Sequence, residues 1–378
     1  MIQLGKLKAT FTLLKYFKTF FSARNSMNKL FKLIYIRLLE GLNLTKFLST
    51  PRTVEEIRNK IGEVKNEEFF QTFISILLDL VAVKIDNKIV LSKEKINKIL
   101  SYRNDVVVRE FEVLYEAGKD IFPEMFKAII RNIPPRYDWE YTMVVNFSQH
   151  SADIYKKGRE IVLNFANAKS ELKGKTILDL SAGFGYEVEH LIKYFNGNIK
   201  IVVAAISEKM LNLAKKYEFD YNGKKISLEE AEQVIDFILI DPNVEKPWPF
   251  KDKEFDGVLA YSLIHWIPNQ KAFINEVSRV LKTGRQFLGF SIFYEEVPKW
   301  ADFFIKIQGG NRFLTFKEFD KMCIEAGFEK PRYFGKLAFK TRKARDLGDH
   351  FFENLKRCVS NLLEGGGRPN IPPRSVKG

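Results

Sequence analysis

Apolar positions in the first hundred residues recur at helical spacing, and beyond residue 175 they shift to short continuous runs. Leu30 to Leu39 follows the three- and four-residue steps of one helix face. Thr53-Val54-Glu55-Glu56 has the form of a capping box and opens a short helix that Gly62 ends. A third helix is expected from about Glu67 to Leu80. Two short strands, Val81–Ile85 and Lys88–Leu91, should then turn at Asp86-Asn87. Helices followed by a hairpin make a winged-helix-like pattern over residues 26–100. Residues 101–170 read as a mainly helical connector containing Pro134-Pro135 and the aromatic residues Tyr137, Trp139 and Tyr141.

From residue 171 to about 345 strands and helices alternate. A buried strand is expected at Thr176–Leu180, and further strands at Ile199–Ile206, Val234–Ile240, Asp256–Tyr261 and Gln286–Ile292, with helices between them. That alternation predicts an α/β fold with a doubly wound, mostly parallel, Rossmann-like sheet, whose ligand sits at the carboxyl ends of the strands. The remainder, 346–378, reads as a helix and a flexible tail rich in glycine and proline.

Charge changes this picture at the amino terminus. The chain has 378 residues and a formal net charge of +14. Lys6, Lys8, Lys15, Lys18, Arg24, Lys29, Lys32 and Arg37 precede the first acidic residue, Glu40. Within residues 1–25, Leu4, Leu7, Phe11, Leu14, Phe17 and Phe21 form one apolar stripe of a basic amphipathic helix. Such a helix can lie on an anionic membrane surface, pack on its own protein or a second subunit, or act as a targeting peptide. No apolar run is long enough to span a bilayer. With no signal peptide and only Cys323 and Cys358, a cytoplasmic setting is expected, peripheral to a membrane if the helix binds one. Nucleic acid is a poor fit as partner. Asn66 to Val83, which contains the helix that would enter a groove, has no Lys or Arg and carries Glu67, Glu68 and Asp79. Packing or dimerisation suits that unit better.

The candidate chemistry lies in Asp179-Leu180-Ser181-Ala182-Gly183-Phe184-Gly185, a strand end and glycine turn. Glycines there tolerate positive φ and let backbone N–H groups approach a ligand. A dinucleotide fingerprint needs a third glycine three positions on, where Val188 stands. Asp179 instead suits a ligand with positive charge near the turn.

The turn resembles the first motif of class I S-adenosylmethionine-dependent methyltransferases. The resemblance continues through Asp241, through Pro247-Trp248-Pro249-Phe250-Lys251-Asp252-Lys253-Glu254-Phe255-Asp256, through Glu276-Val277-Ser278-Arg279-Val280-Leu281-Lys282-Thr283-Gly284, and through Glu325-Ala326-Gly327-Phe328. It implies S-adenosylmethionine as cofactor. Contacts to it are implied from Asp179, Ser181, Ala182, Gly183 and Gly185, from Ile206 after the second strand, from Asp241 and Pro242 after the third, and from Tyr261 at the end of the fourth. Two departures stand out. Ser181 replaces the first glycine of the motif, and Ala205 stands where the family has the acid that binds the ribose diol. The lost acceptor is worth roughly 1–3 kcal/mol of cofactor affinity unless Glu208 replaces it. The order of winged-helix-like unit, connector and methyltransferase domain is similar to that of small-molecule O-methyltransferases, which implies a homodimer through the N-terminal unit and a small-molecule acceptor. In that family a histidine after the fourth strand is the base, and Leu263-Ile264-His265-Trp266 offers His265 for proton removal from a hydroxyl. Carbon or nitrogen methylation of a lipid-like acceptor would need no base. A non-catalytic cofactor-binding subunit is the reading that Ala205 suggests, and His150 and His190 are assigned no chemistry. No metal site is expected.

Overall fold

The computed structural model describes residues 28–105, 112–133, 153–181, 183–297 and 300–344. The amphipathic segment 1–25, the cluster around Tyr137 to Tyr141, His150, Ala182, Cys358 and the tail lie outside these.

The N-terminal unit forms where its apolar periodicity places it. A helix over residues 28–41 is followed by the short helix Leu44–Phe47, then Val54–Ile61 and Glu67–Leu80. Thr53 and Glu56 close the capping box from both sides, and Gly62 ends that helix at φ 107°. Strands β1 (Ala82–Ile85) and β2 (Lys88–Leu91) pair antiparallel, and Lys93–Leu100 follows. Helix Glu67–Leu80 buries Phe69, Phe70, Phe73, Ile74, Ile76 and Leu77. Its exposed face carries Glu67, Glu68 and Asp79 and no cation.

That buried face is not covered by the N-terminal unit alone. Helices Glu112–Asp120 and Phe122–Ile130 supply part of the cover, with Phe73 and Phe126 ring centroids 4.8 Å apart. The rest comes from helix Ala301–Ile307, far along the chain. Phe303 stacks on Phe69 at 4.8 Å, and Phe303, Phe304 and Ile307 belong to the same buried cluster as Leu33, Tyr35 and Phe70. Helix Ala301–Ile307 therefore shares its core with the N-terminal helices.

The second layer is a seven-stranded sheet in the order β10-β11-β9-β8-β3-β4-β7. Its members are β3 (Thr176–Asp179), β4 (Lys200–Ala205), β7 (Val234–Leu239), β8 (Phe255–Tyr261), β9 (Leu281–Phe290), β10 (Arg332–Phe334) and β11 (Ala338–Arg342). All neighbouring pairs from β9 to β7 are parallel, while β11 pairs antiparallel to β9 and β10 antiparallel to β11. Each expected strand is present. Strand β9 begins earlier than its apolar run, because Leu281 already pairs with Phe255. A further hairpin, β5 (Glu218–Tyr221) with β6 (Lys224–Ser227), was not foreseen. Asn222-Gly223 makes its turn with both residues at positive φ, the two-residue hairpin signal in the sequence.

Two of the motif segments prove structural. Arg279, in helix Gln270–Val280, donates to the carbonyls of Trp248 and Phe250 and to Asp252, and Glu276 accepts from the Trp248 N–H at 2.7 Å. Together they clamp the Pro247–Lys253 stretch that leads into β8. Gly327, at φ 85°, turns the chain out of helix Phe316–Glu325 toward β10.

Candidate functional site

Strands β3, β4 and β8 end side by side, and a cleft opens over their carboxyl ends. The turn after β3 contributes Leu180, Ser181 and Gly183, and the end of β4 contributes Ala205 and Ile206 with Met210 from the next helix. Tyr261, Ser262, Leu263 and Trp266 complete it from β8 and the loop that follows. The structure thus brings together four of the expected contact residues: Ser181, Gly183, Ile206 and Tyr261. Asp179 lies directly behind Ser181.

Asp179 is fully buried. Its Oδ1 accepts from the Ser181 N–H at 3.0 Å and from the Ser181 hydroxyl at 2.8 Å. Ser181 Oγ in turn accepts from the Tyr261 N–H at 3.0 Å. The serine that replaces the motif glycine therefore stitches β3 to β8 while holding one carboxylate oxygen. The other, Oδ2, has no hydrogen bond among the described residues, nor has the Tyr261 hydroxyl. Burial pushes the Asp179 carboxyl up to about 7, and the nearby Glu187 carboxylate pushes the same way. Buried polar atoms without partners call for an explanation, and a ligand group in the adjoining cleft supplies one. A buried carboxylate of this kind favours a cation. The ammonium end of S-adenosylmethionine meets that requirement, so the residues fit the cofactor.

The glycines act differently from one another. Gly183, at φ 33°, faces Met210 across the cleft, and a Cβ there would make only ordinary contacts. Gly185, at φ 92°, lies under Tyr217, whose ring would be 2.6 Å from a Cβ. Both that φ and the packing beneath the ring require glycine there.

Other expected residues fall elsewhere. Asp241 accepts from the N–H groups of Asn243 and Glu245 at 2.9 Å each, within its own turn, and neither it nor Pro242 lines the cleft. Glu208 is exposed and also off the lining, so the end of β4 presents Ala205 and no carboxylate. His265 is 4% exposed and is set back from the cleft. It lies in the 3-10 turn Ile264–Trp266, with its ring 5.0 Å from Phe313 and 5.4 Å from Trp266. His190, off the cleft, is held down to about 4 by burial and by Arg159. No cluster of His, Cys, Asp or Glu able to hold a metal occurs among the described residues.

A second cavity of about 530 Å³ lies where the N-terminal unit meets helix Ala301–Ile307, bordered by Phe69, Thr72, Ile129, Pro268, Trp300 and Lys306. Gly310 also borders it, and a Cβ on Gly310 would sit 3.1 Å from the Trp266 indole. Trp266 thus lines the cleft and packs close to Gly310 at the edge of this cavity.

Two residues outside the sequence expectations support the elements around the cleft. Tyr155 and Arg159, one turn apart on helix Asp153–Phe165, reach Ser262 and Glu187 respectively. A charged residue within an otherwise apolar face is their only trace in the sequence.

Residues 178–288 match the family described as methyltransferase domain. With the sheet order and the glycine turn, this defines a class I S-adenosylmethionine-dependent methyltransferase domain, whose methyl donor is S-adenosylmethionine. Among individual proteins, the chain is 26% identical over 257 residues to demethylmenaquinone methyltransferase of Staphylococcus saprophyticus, covering 68% of this chain and 92% of that one. It is 27% identical over 226 residues to the biotin biosynthesis bifunctional protein BioHC of Teredinibacter turnerae, covering 55% of this chain but only 37% of that protein. The fold of the carbon methyltransferase domain of the citrinin polyketide synthase matches over 91% of this chain and 96% of that domain, with a TM-score of 0.63 at 11% identity. The likeness in fold therefore extends through the N-terminal helices.

Proposed function

We propose that the protein transfers the methyl group of S-adenosylmethionine to a carbon atom of an apolar small molecule that enters from the cavity beside Trp266. The observation that carries this reading is the lining of the cleft around the donor position. Ile206, Met210, Leu263 and Trp266 are apolar, and the histidine expected to serve as base is set back against Phe313. The donor supplies an electrophilic methyl on a sulfonium, and direct displacement gains most from alignment and exclusion of water. Asp179 and Tyr261 would hold the amino-acid end, the glycine turn would orient it, and Trp266 would press the acceptor toward it. An acceptor carbon that is already nucleophilic takes the methyl as the C–S bond breaks and S-adenosylhomocysteine leaves, and the proton on that carbon is lost afterwards to water, so no side-chain base is needed for the transfer itself. The quinone named for the Staphylococcus relative and the carbon methyltransferase matched in fold support that class of acceptor. The winged-helix-like unit would close the acceptor side.

The test uses donor labelled in its methyl carbon, incubated with the protein and an extract of apolar metabolites. Label is expected in an organic-soluble product whose carbon resonance is that of carbon-bound methyl, and oxygen-bound methyl would overturn the proposal. His265→Asn is expected to keep most of the activity, whereas a loss of roughly 100-fold or more would reinstate it as a base. A second reading is favoured by Ala205, with exposed Glu208 leaving the ribose position without an acid: a non-catalytic subunit. Calorimetry that finds no S-adenosylmethionine binding at millimolar donor would select it.

A further inference from the structure

The buried pair Arg159–Glu187 has no part in the chemistry above. Glu187 is the second residue of helix Tyr186–Tyr194, which starts directly after the glycine turn, and is fully buried. Arg159 is 3% exposed and donates to Glu187 Oε1 at 2.9 Å. It comes from helix Asp153–Phe165, where Tyr155, one turn earlier, places its hydroxyl 3.4 Å from that of Ser262 in the cleft lining. Gly158, between them, lies against Phe290 of β9. The helix thus reaches the loop after β8 through Tyr155 and the helix behind the glycine turn through Arg159, and Asn164 near its end accepts from the Tyr194 hydroxyl of that second helix.

Stability alone does not account for such a pair. Taking two charges out of water costs about as much as their attraction returns, and apolar residues of equal volume commonly serve a core as well. Its position suggests another use. With no carboxylate at the end of β4, recognition of the donor falls more heavily on the end that Asp179 faces. The glycine turn at that end needs a fixed backbone, and the Glu187 carboxylate also acts on Asp179 through the field between them.

We infer that Arg159 and Glu187 are a positioning pair for the amino-acid end of the donor, locking the glycine turn and helix Asp153–Phe165 into one wall. The inference rests on the donor-binding reading above. It separates the two ends of the ligand: loss of the pair weakens ligands that carry the amino-acid tail and spares those that carry only the adenosine.

Binding of S-adenosylhomocysteine and of 5′-methylthioadenosine, which has the thioether but no amino-acid tail, tests this by calorimetry. The double variant Arg159→Met/Glu187→Met is expected to melt close to the wild type. Its affinity for S-adenosylhomocysteine should fall at least tenfold, while its affinity for 5′-methylthioadenosine stays within twofold. Unchanged S-adenosylhomocysteine binding, or parallel loss of both ligands, overturns the inference. Arg159→Lys, which keeps the charge and loses the planar fork, provides a second measure that does not depend on the double variant folding. A fewfold loss confined to S-adenosylhomocysteine is expected, and equal loss of both ligands counts against the pair. A wild type that binds neither ligand refutes the donor-binding reading instead.

Discussion

Asp179→Asn is expected to weaken S-adenosylmethionine binding by roughly ten- to a hundredfold, the worth of one hydrogen bond to a charged group. The shape and depth of the site barely change with this substitution, so the loss reads the charge. The same residue predicts a pH dependence. Its carboxyl is raised to about 7 in the folded protein, by burial first and by Glu187 second, against an ordinary value near 4 when unfolded. Between those values the folded state binds the extra proton. Its contribution to stability is therefore fully present below about pH 4 and is lost as pH rises through 7. Donor binding favours the carboxylate and should tighten over the same window before levelling off. Melting curves of the donor-free protein between pH 5 and 8 should show this slope, and Asp179→Asn should remove it. An unchanged slope in the variant would assign it to other groups.

Gly185→Ala is expected to destabilise the protein by about 3 kcal/mol or more and to abolish donor binding. Two costs combine there. Alanine is strained at φ 92°, and its methyl would overlap the Tyr217 ring, which packs edge-on to Tyr186 and bonds to Glu189. Adding Tyr217→Ala should recover the part due to overlap and leave the part due to φ. Urea unfolding of the four combinations separates the terms. Near-wild-type stability of Gly185→Ala would show that the ring does not close over the turn.

How much of this was legible in the sequence depends on the range of the interaction concerned. Local signals were read directly: the Thr53–Glu56 box, the glycine at 62, and the apolar runs that become β3, β4, β7 and β8. Asn222-Gly223 is equally local but a weaker signal, because the flanking strands are short and partly charged. Facing is harder to read. His265 and Trp266 are neighbours in sequence, but a 3-10 turn advances about 120° per residue, so only one of them faces the cleft. The pair Arg159–Glu187 joins two helices across 28 positions. No periodicity announces such a contact, and a charged residue on a helix ordinarily reads as a solvated one.

Helix Ala301–Ile307 carries a consequence for the order in which the protein is made. Its Phe303 fills the space between Phe69 and Phe126 in the N-terminal core. During synthesis that core stays incomplete until residue 307 has left the ribosome, after every strand from β3 to β9 has emerged. The N-terminal helices are thus made before β3 yet are among the last to close, and their phenylalanines stay exposed in the interval. Ribosome-bound chains ending just before and just after this helix would differ in how readily a protease cuts the first hundred residues.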